Sequence, residues 1–467
     1  MSVSPEEFAS EQPPARPIGT ECEYNLQLPI GKYLVGNFLN PEVLNRRGVI
    51  NHDGYLGEDY GGGRVYDDVG QAEFCTKETL GPASAAVEDI GGIGRMAKII
   101  QASGYAYDGL YRVAGMYMPK SPIAEHTPAS LNGYSLGFHE SYLFSRGIAD
   151  DMLIDYLPAT AMAARIWAGS GTIYGGNFVF SQKIWSCSEP AIEHMQMDRR
   201  TYHYRKPMAL IPPVHYEKDT LSSLQWARFE VRSGDPGWSL VNRFLASAAI
   251  SLSLRAVEQQ ERLGRERLFC VSFSRPVDAA RLFARDLTLS QTSQTLDGRM
   301  MTAVDSQEAL IDLYEELDEK VELPADEKVA IVALRGLIDA LRTSHPNKLD
   351  YPSLLRVRTN FAPKHLFVSK APGRLTTEND VAMQRNMEWD RVLPEGNAMA
   401  YWNVMADKDP LTQHVRSLAA QASDIRRADL RAKIIGRRNS LLEVVDWAHY
   451  KQKGDDTNRR MGDPINR

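Results

Sequence analysis

The chain lacks any run of apolar residues near the roughly 20 that a bilayer-spanning helix requires, and Phe244 to Leu254 comes closest. No membrane span is therefore expected. Cysteine is scarce: Cys22, Cys75, Cys187 and Cys270 are scattered without a C-x-x-C pair, which excludes a zinc knuckle or a disulfide framework and points to a reducing cytoplasm. A basic excess is missing too. Lys and Arg number 54 against 60 Asp and Glu, a formal net charge of -6, which argues against electrostatic coating of nucleic acid but leaves room for a local phosphate site. The opening segment MSVSPEEFASEQPPARP carries acids and prolines where a secretory signal would carry a basic start and an apolar run. Residues 1–17 read as a disordered leader. Neither a Walker A loop nor a G-x-G-x-x-G after a strand is present, and GGIGRM at 91–96 falls inside a helical stretch.

What the chain has in quantity is globular sequence: 467 residues, 43% hydrophobic and 24% charged, enough for one large catalytic domain with a smaller appendage. IGTECEYNLQL from Ile18 alternates polar and apolar residues, so it reads as a strand that puts Glu21 and Glu23 on one side. Residues 31–63 are rich in Gly, Asn, Asp and Tyr and read as a long loop. RVYDDVG at 64–70 alternates again and groups Arg64, Tyr66 and Asp68. Helices are expected over 82–103, within 141–169, over 239–263, and as an amphipathic pair at 307–322 and 326–343. Strands are expected at 177–185 and 226–233, and the tail over 411–450 reads as helical.

Three groups of residues could carry chemistry. Glu21, Glu23, Asp67, Asp68 and Glu73 lie on strand-like segments and could converge to hold a hard divalent cation through oxygen. Read one by one, they are equally the solvated acids of strand faces. In FHESY, Glu140 could add a metal ligand and His139 a contact to phosphate. In ARFEVR, Arg228 and Arg232 could clamp phosphate oxygens in the bidentate manner open to guanidinium, or could belong to an ion-pair ladder between strands.

The order of the segments GTECEY, GGGRVYDDVGQAEF, GFHESYLF, FSQK and RFEV resembles the Pup ligases and their depupylase relatives. That family runs G-[IT]-E-x-E-Y-G, N-G-x-R-[LI]-Y-x-D-x-G-x-x-P-E-Y, H-E-N-Y-L, S-Q-R and R-R-L-H-V. The tail segments RADLRAKIIGR from Arg427 and VVDWAHYK from Val444 extend the likeness. Departures are Asn25 for glycine, Ala72 for proline, Ser141 for asparagine and Glu230 for histidine; the family's N-T-R-D-E-P-H is replaced by MALIPPVHYE at 208–217.

The resemblance implies an α+β fold, a glutamine synthetase-like curved antiparallel β-sheet cradle with helices on its convex face. It implies a catalytic domain over residues 18–405 and a small C-terminal domain over 406–467. ATP and Mg2+ are the implied cofactors. Glu21, Glu23, Glu73 and Glu140 are implied as metal ligands, Asp68 as the catalytic aspartate, and Arg228, Tyr66, His139 and Arg64 as contacts to the nucleotide. The implied reaction phosphorylates a carboxylate and joins it to an amine. The donor would be a small protein ending in Glu or Gln, or a small acid, and the acceptor a lysine or a small amine. Amide ligation in metabolism and isopeptide hydrolysis or deamidation are the alternatives. The segment 26–63 is nearer ligase than depupylase length, which favours ligation.

Overall fold

The protein is described from a computed structural model covering residues 15–27, 63–68, 71–103, 109–112, 115–116, 134–135, 137–145, 151–174, 177–181, 183–184, 187, 189–192, 207–210, 226–344, 349–376, 379–393, 397–406, 408–422, 442–444, 449–452 and 459–460. Residues 1–14 of the expected leader, most of the loop at 31–63 and residues 211–217 of the replaced stretch lie outside these residues. The leader ends earlier than expected: Arg16 is buried against Glu258 at 2.7 Å, and Pro17 opens the first strand.

Seven strands form the main path of a ten-stranded sheet. In chain order they are β1 (Pro17–Gln27), β2 (Arg64–Asp68), β3 (Gln71–Cys75), β4 (Phe138–Ser145), β5 (Glu189–Ile192), β6 (Pro207–Leu210) and β7 (Trp226–Gly234). Their spatial order is β5-β6-β7-β4-β1-β3-β2. Every neighbouring pair on this path is antiparallel except β5 and β6, which run parallel at the edge. The class is α+β, as expected.

Period-two patterning decides which side of the sheet is covered. Ile18, Cys22 and Tyr24 of β1, Phe138, Tyr142 and Phe144 of β4, and Phe229 and Val231 of β7 are all buried within the apolar cores. The intervening residues Glu21, His139 and Glu230 stand on the other face.

The covering layer is built on α1 (Gly81–Ser103), α2 (Asp151–Ala164) and α3 (Leu240–Glu258). Every residue of α3 is buried, so its apolar character is that of a core helix. It starts where Ser239 accepts a hydrogen bond from the Asn242 backbone at 3.2 Å. Helices α4 (Ala303–Lys320) and α5 (Ala325–Thr343) form the expected amphipathic pair, the first opened by a capping box between Thr302 and Asp305.

Two expectations are corrected. Residues 177–185 give only a short strand, Asn177–Val179, paired with Thr172–Tyr174. The tail is not helical to residue 450: after α6 (Pro410–Gln421) come the short strands Leu442–Val444 and His449–Gln452. The Leu-Glu-Val run at 442–444 and the Tyr-Lys-Gln run at 450–452 pair as an antiparallel ladder, and partner pairing outweighs the helical spacing of their apolar residues. Helix α6 buries Val415 in the main core, with Leu411 and Leu418 packed against it.

Candidate functional site

Three neighbouring strands bring an acidic cluster together on the open face. The register sets Glu21 of β1 opposite His139 of β4, and Glu23 of β1 opposite Glu73 of β3. One ligand atom each from Glu21, Glu73 and His139 lies within 4.8 Å of the others. Glu73 and His139 are buried, and Glu21 is partly open to solvent.

Nδ1 of His139 is 3.3 Å from Oε2 of Glu21. Burial pushes the Glu21 carboxyl up, but the hydrogen bond and charge of His139, with Arg228 and Arg232 nearby, outweigh it and hold the group at about 2. Glu21 is therefore a carboxylate at neutral pH. Two carboxylates and an imidazole from separate strands form a donor set that fits a divalent cation: the hard oxygens suit magnesium, and the imidazole adds a neutral ligand.

Glu23 shares the face but turns away from the cluster. Its Oε2 accepts a hydrogen bond from the backbone N–H of Gly137, and a Cβ on Gly137 would sit 2.3 Å from Glu23 Oε1. A side chain at position 137 would displace the Glu23 carboxylate from this contact. The carboxylate thus ties β1 to the approach of β4, and it is absent from the set of converging ligand atoms.

Glu140 is not a metal ligand here, which corrects the sequence expectation. It pairs with Thr20 and so faces the helices, on the opposite side of the sheet from His139. Arg165 and Arg243 each donate to it at 2.9 Å, Ser247 at 3.0 Å and Tyr142 at 3.1 Å. Burial raises this carboxyl, but Arg165 and Arg243 overcome the effect and keep it at about 2. Glu140 is a fully buried anchor between sheet and helices. His139, expected as a phosphate contact, is the residue that β4 contributes to the cluster.

On β2, Arg64, Tyr66 and Asp68 are register partners of Cys75, Glu73 and Gln71. Tyr66 therefore stands at the cross-strand position of Glu73, and Asp68 lies two pairs further along the same ladder. The side chains of these three residues lie outside the described features.

On β7, Arg228 reaches the open face and is 48% exposed. Its Nη2 donates to Glu230 at 2.8 Å. The partner is thus on its own strand, and neither reading made from sequence included it. In the sequence, Glu230 alternates with Phe229 and Val231 and so shares a strand face with Arg228 and Arg232; its deep burial between them was not expected.

A sheet face carrying a cluster that could hold a cation beside guanidinium groups suits the handling of phosphate. With the family match below, this defines an ATP-dependent ligase that forms carbon–nitrogen bonds. The chain belongs to the Pup-ligase protein family, which it matches over residues 57–451.

Among relatives, the Pup--protein ligase of Acidimicrobium ferrooxidans is 24% identical over 406 residues, covering 84% of this chain and 82% of that protein. The Pup deamidase/depupylase of Mycolicibacterium smegmatis is 23% identical over 320 residues, covering 67% of this chain and 59% of that protein. The crystal structure of the complex between the prokaryotic ubiquitin-like protein Pup and its ligase PafA has a TM-score of 0.70 at 17% identity, covering 97% of this chain and 90% of the other. The Pup ligase PafA in complex with ADP gives 0.63 at 15% identity, covering 94% of each chain.

Proposed function

We propose that this chain uses ATP and magnesium to phosphorylate a carboxylate at the end of a Pup-like small protein, and then joins that acyl group to a lysine amine of a target protein. The observation that carries the reading is the convergence of Glu21, Glu73 and His139 from three adjacent strands. Glu21, Glu73 and His139 would hold the magnesium ion, which when bound would offset the negative charge of the triphosphate.

A carboxylate oxygen is a poor leaving group, so the γ-phosphoryl of ATP passes to the donor carboxylate and converts it to an acyl phosphate. The lysine nitrogen then attacks the carbonyl carbon, the C–O bond to phosphate breaks, and phosphate leaves. Arg228 is placed to steady the transferring phosphoryl group. A lysine is protonated at neutral pH and must lose a proton first, a role we assign to Asp68 as general base. No disulfide joins the four cysteines, which suits a reducing compartment, and we place the reaction in the cytoplasm.

Ligation is favoured over hydrolysis because the family matched over most of the chain is that of the ligases. The test incubates the protein with ATP, magnesium, a small disordered protein ending in glutamate, and a lysine-bearing target. Release of ADP coupled to a covalent adduct of the two proteins is expected. If a preformed adduct is cleaved and none is made, the hydrolytic reading replaces this one.

A further inference from the structure

Glu230 is the most deeply buried charged residue on the open face of β7, 1% exposed between Arg228 at 48% and Arg232 at 19%. Its two oxygens are divided between these neighbours. Oε2 accepts from Nη2 of Arg228 at 2.8 Å, and Oε1 lies 2.7 Å from Nε of Arg232. The same Oε1 is 4.0 Å from Nδ1 of His139, which itself contacts Glu21. A carboxylate this deeply buried is costly unless it is paired, and here the partners flank it on one strand beside the acidic cluster.

Without this anion, two long cationic side chains two residues to either side of position 230 would repel each other and gain rotamer freedom by swinging into solvent. With it, Arg228 is pinned at Nη2 by a hydrogen bond, and the Arg232 guanidinium is held in ion-pair contact. A guanidinium has five N–H donors in a fixed fork, so pinning one fixes the direction of the others. The family pattern R-R-L-H-V has histidine at this position, so the carboxylate departs from the pattern this chain otherwise follows.

We propose that Glu230 is a positioning residue for phosphate binding. It holds Arg228 and Arg232 as one bridged pair beside Glu21 and His139, and so sets the affinity for a metal-bound triphosphate without touching the nucleotide. This inference rests on the reading of the site as a pocket for nucleotide and divalent cation.

The test measures binding of a non-hydrolysable ATP analogue with Mg2+ to the full chain by titration calorimetry, with the thermal midpoint of each variant recorded in the absence of nucleotide. Glu230→Gln is expected to weaken binding by about tenfold or more, the effect of losing a charged hydrogen bond, with the midpoint little changed. In an Arg228→Ala background the same substitution should cost a clearly smaller factor than in the wild type, because only the part acting through Arg232 remains. Glu230→Asp, which keeps the charge but shortens the reach, covers the case in which the glutamine variant does not fold. Its expected loss is intermediate and again shrinks in the Arg228→Ala background. Unchanged binding by folded Glu230→Gln or Glu230→Asp, or losses that multiply with Arg228→Ala, would overturn the proposal. If the wild type binds no Mg2+–nucleotide, the reading of the site falls and this inference with it. If the wild type binds and the Glu230 variants bind equally well, only the inference falls.

Discussion

Single side chains divide the labour of the open face. Glu73 is a buried member of the cluster, so Glu73→Gln should lower the apparent Mg2+ affinity of nucleotide binding by at least about tenfold while leaving the fold intact, read by titrating Mg2+ at fixed nucleotide. Asp68→Asn separates binding from chemistry. It should keep nucleotide affinity and lower the rate of adduct formation by roughly 10²- to 10⁴-fold, the usual contribution of general base catalysis. At Gly137 the constraint is steric, because an added Cβ would meet Glu23 Oε1 at 2.3 Å. Gly137→Ala should therefore cost about 1–3 kcal/mol in a denaturant titration. Much of this division was legible in the sequence: alternation alone puts Glu21 with Glu23 and separates His139 from Glu140. Which of the last two faces the site was not legible, because the answer depends on Arg165 and Arg243, 25 and 103 residues from Glu140 in the chain. The turn of Glu23 onto the Gly137 N–H, across 114 residues, was hidden for the same reason.

Among the elements, the joint between α1 and α5 makes a pH-dependent contribution. Asp326, in the first turn of α5, accepts from the backbone N–H of Ala83 at 3.3 Å and that of Glu327 at 3.0 Å. Burial, with the neighbouring charge of Glu327, raises its carboxyl from 3.8 to about 6. The folded state therefore favours the protonated acid. That stability is fully present below 3.8 and is lost as pH rises through 6, a change of at most about 3 kcal/mol. Asp326→Asn should flatten this decline, seen as a difference between wild-type and variant urea midpoints that changes across the interval and is constant above it. Strands β1, β2 and β7 and the long helices followed from their periodicities, while the parallel edge pair β5 and β6 did not. The tail strands did not, because a three-residue strand is defined by its partner rather than by its own pattern.

For the whole molecule, the cluster makes stability depend on ligand. A triphosphate held through Glu21, Glu73 and His139 binds the folded chain and not the unfolded one. Mg2+ and ATP together at about 100 times the dissociation constant should add roughly 2.7 kcal/mol, visible as a rise in melting temperature. ATP with a chelator should produce little of that rise. The sequence placed a boundary at residue 405, yet α6, just beyond it, buries Val415 in the main core. Removal of the chain from residue 406 should therefore destabilise the body of the protein as well as remove the tail strands.

Strand β4 sends consecutive residues to opposite tasks: His139 to the cluster and Glu140 to the guanidinium groups beneath the sheet. Because side chains alternate, inserting or deleting one residue between Gly137 and His139 would exchange the two. An imidazole would then meet two buried cations, and a third acid would enter the site. This short stretch should therefore tolerate substitution far better than any change in its length.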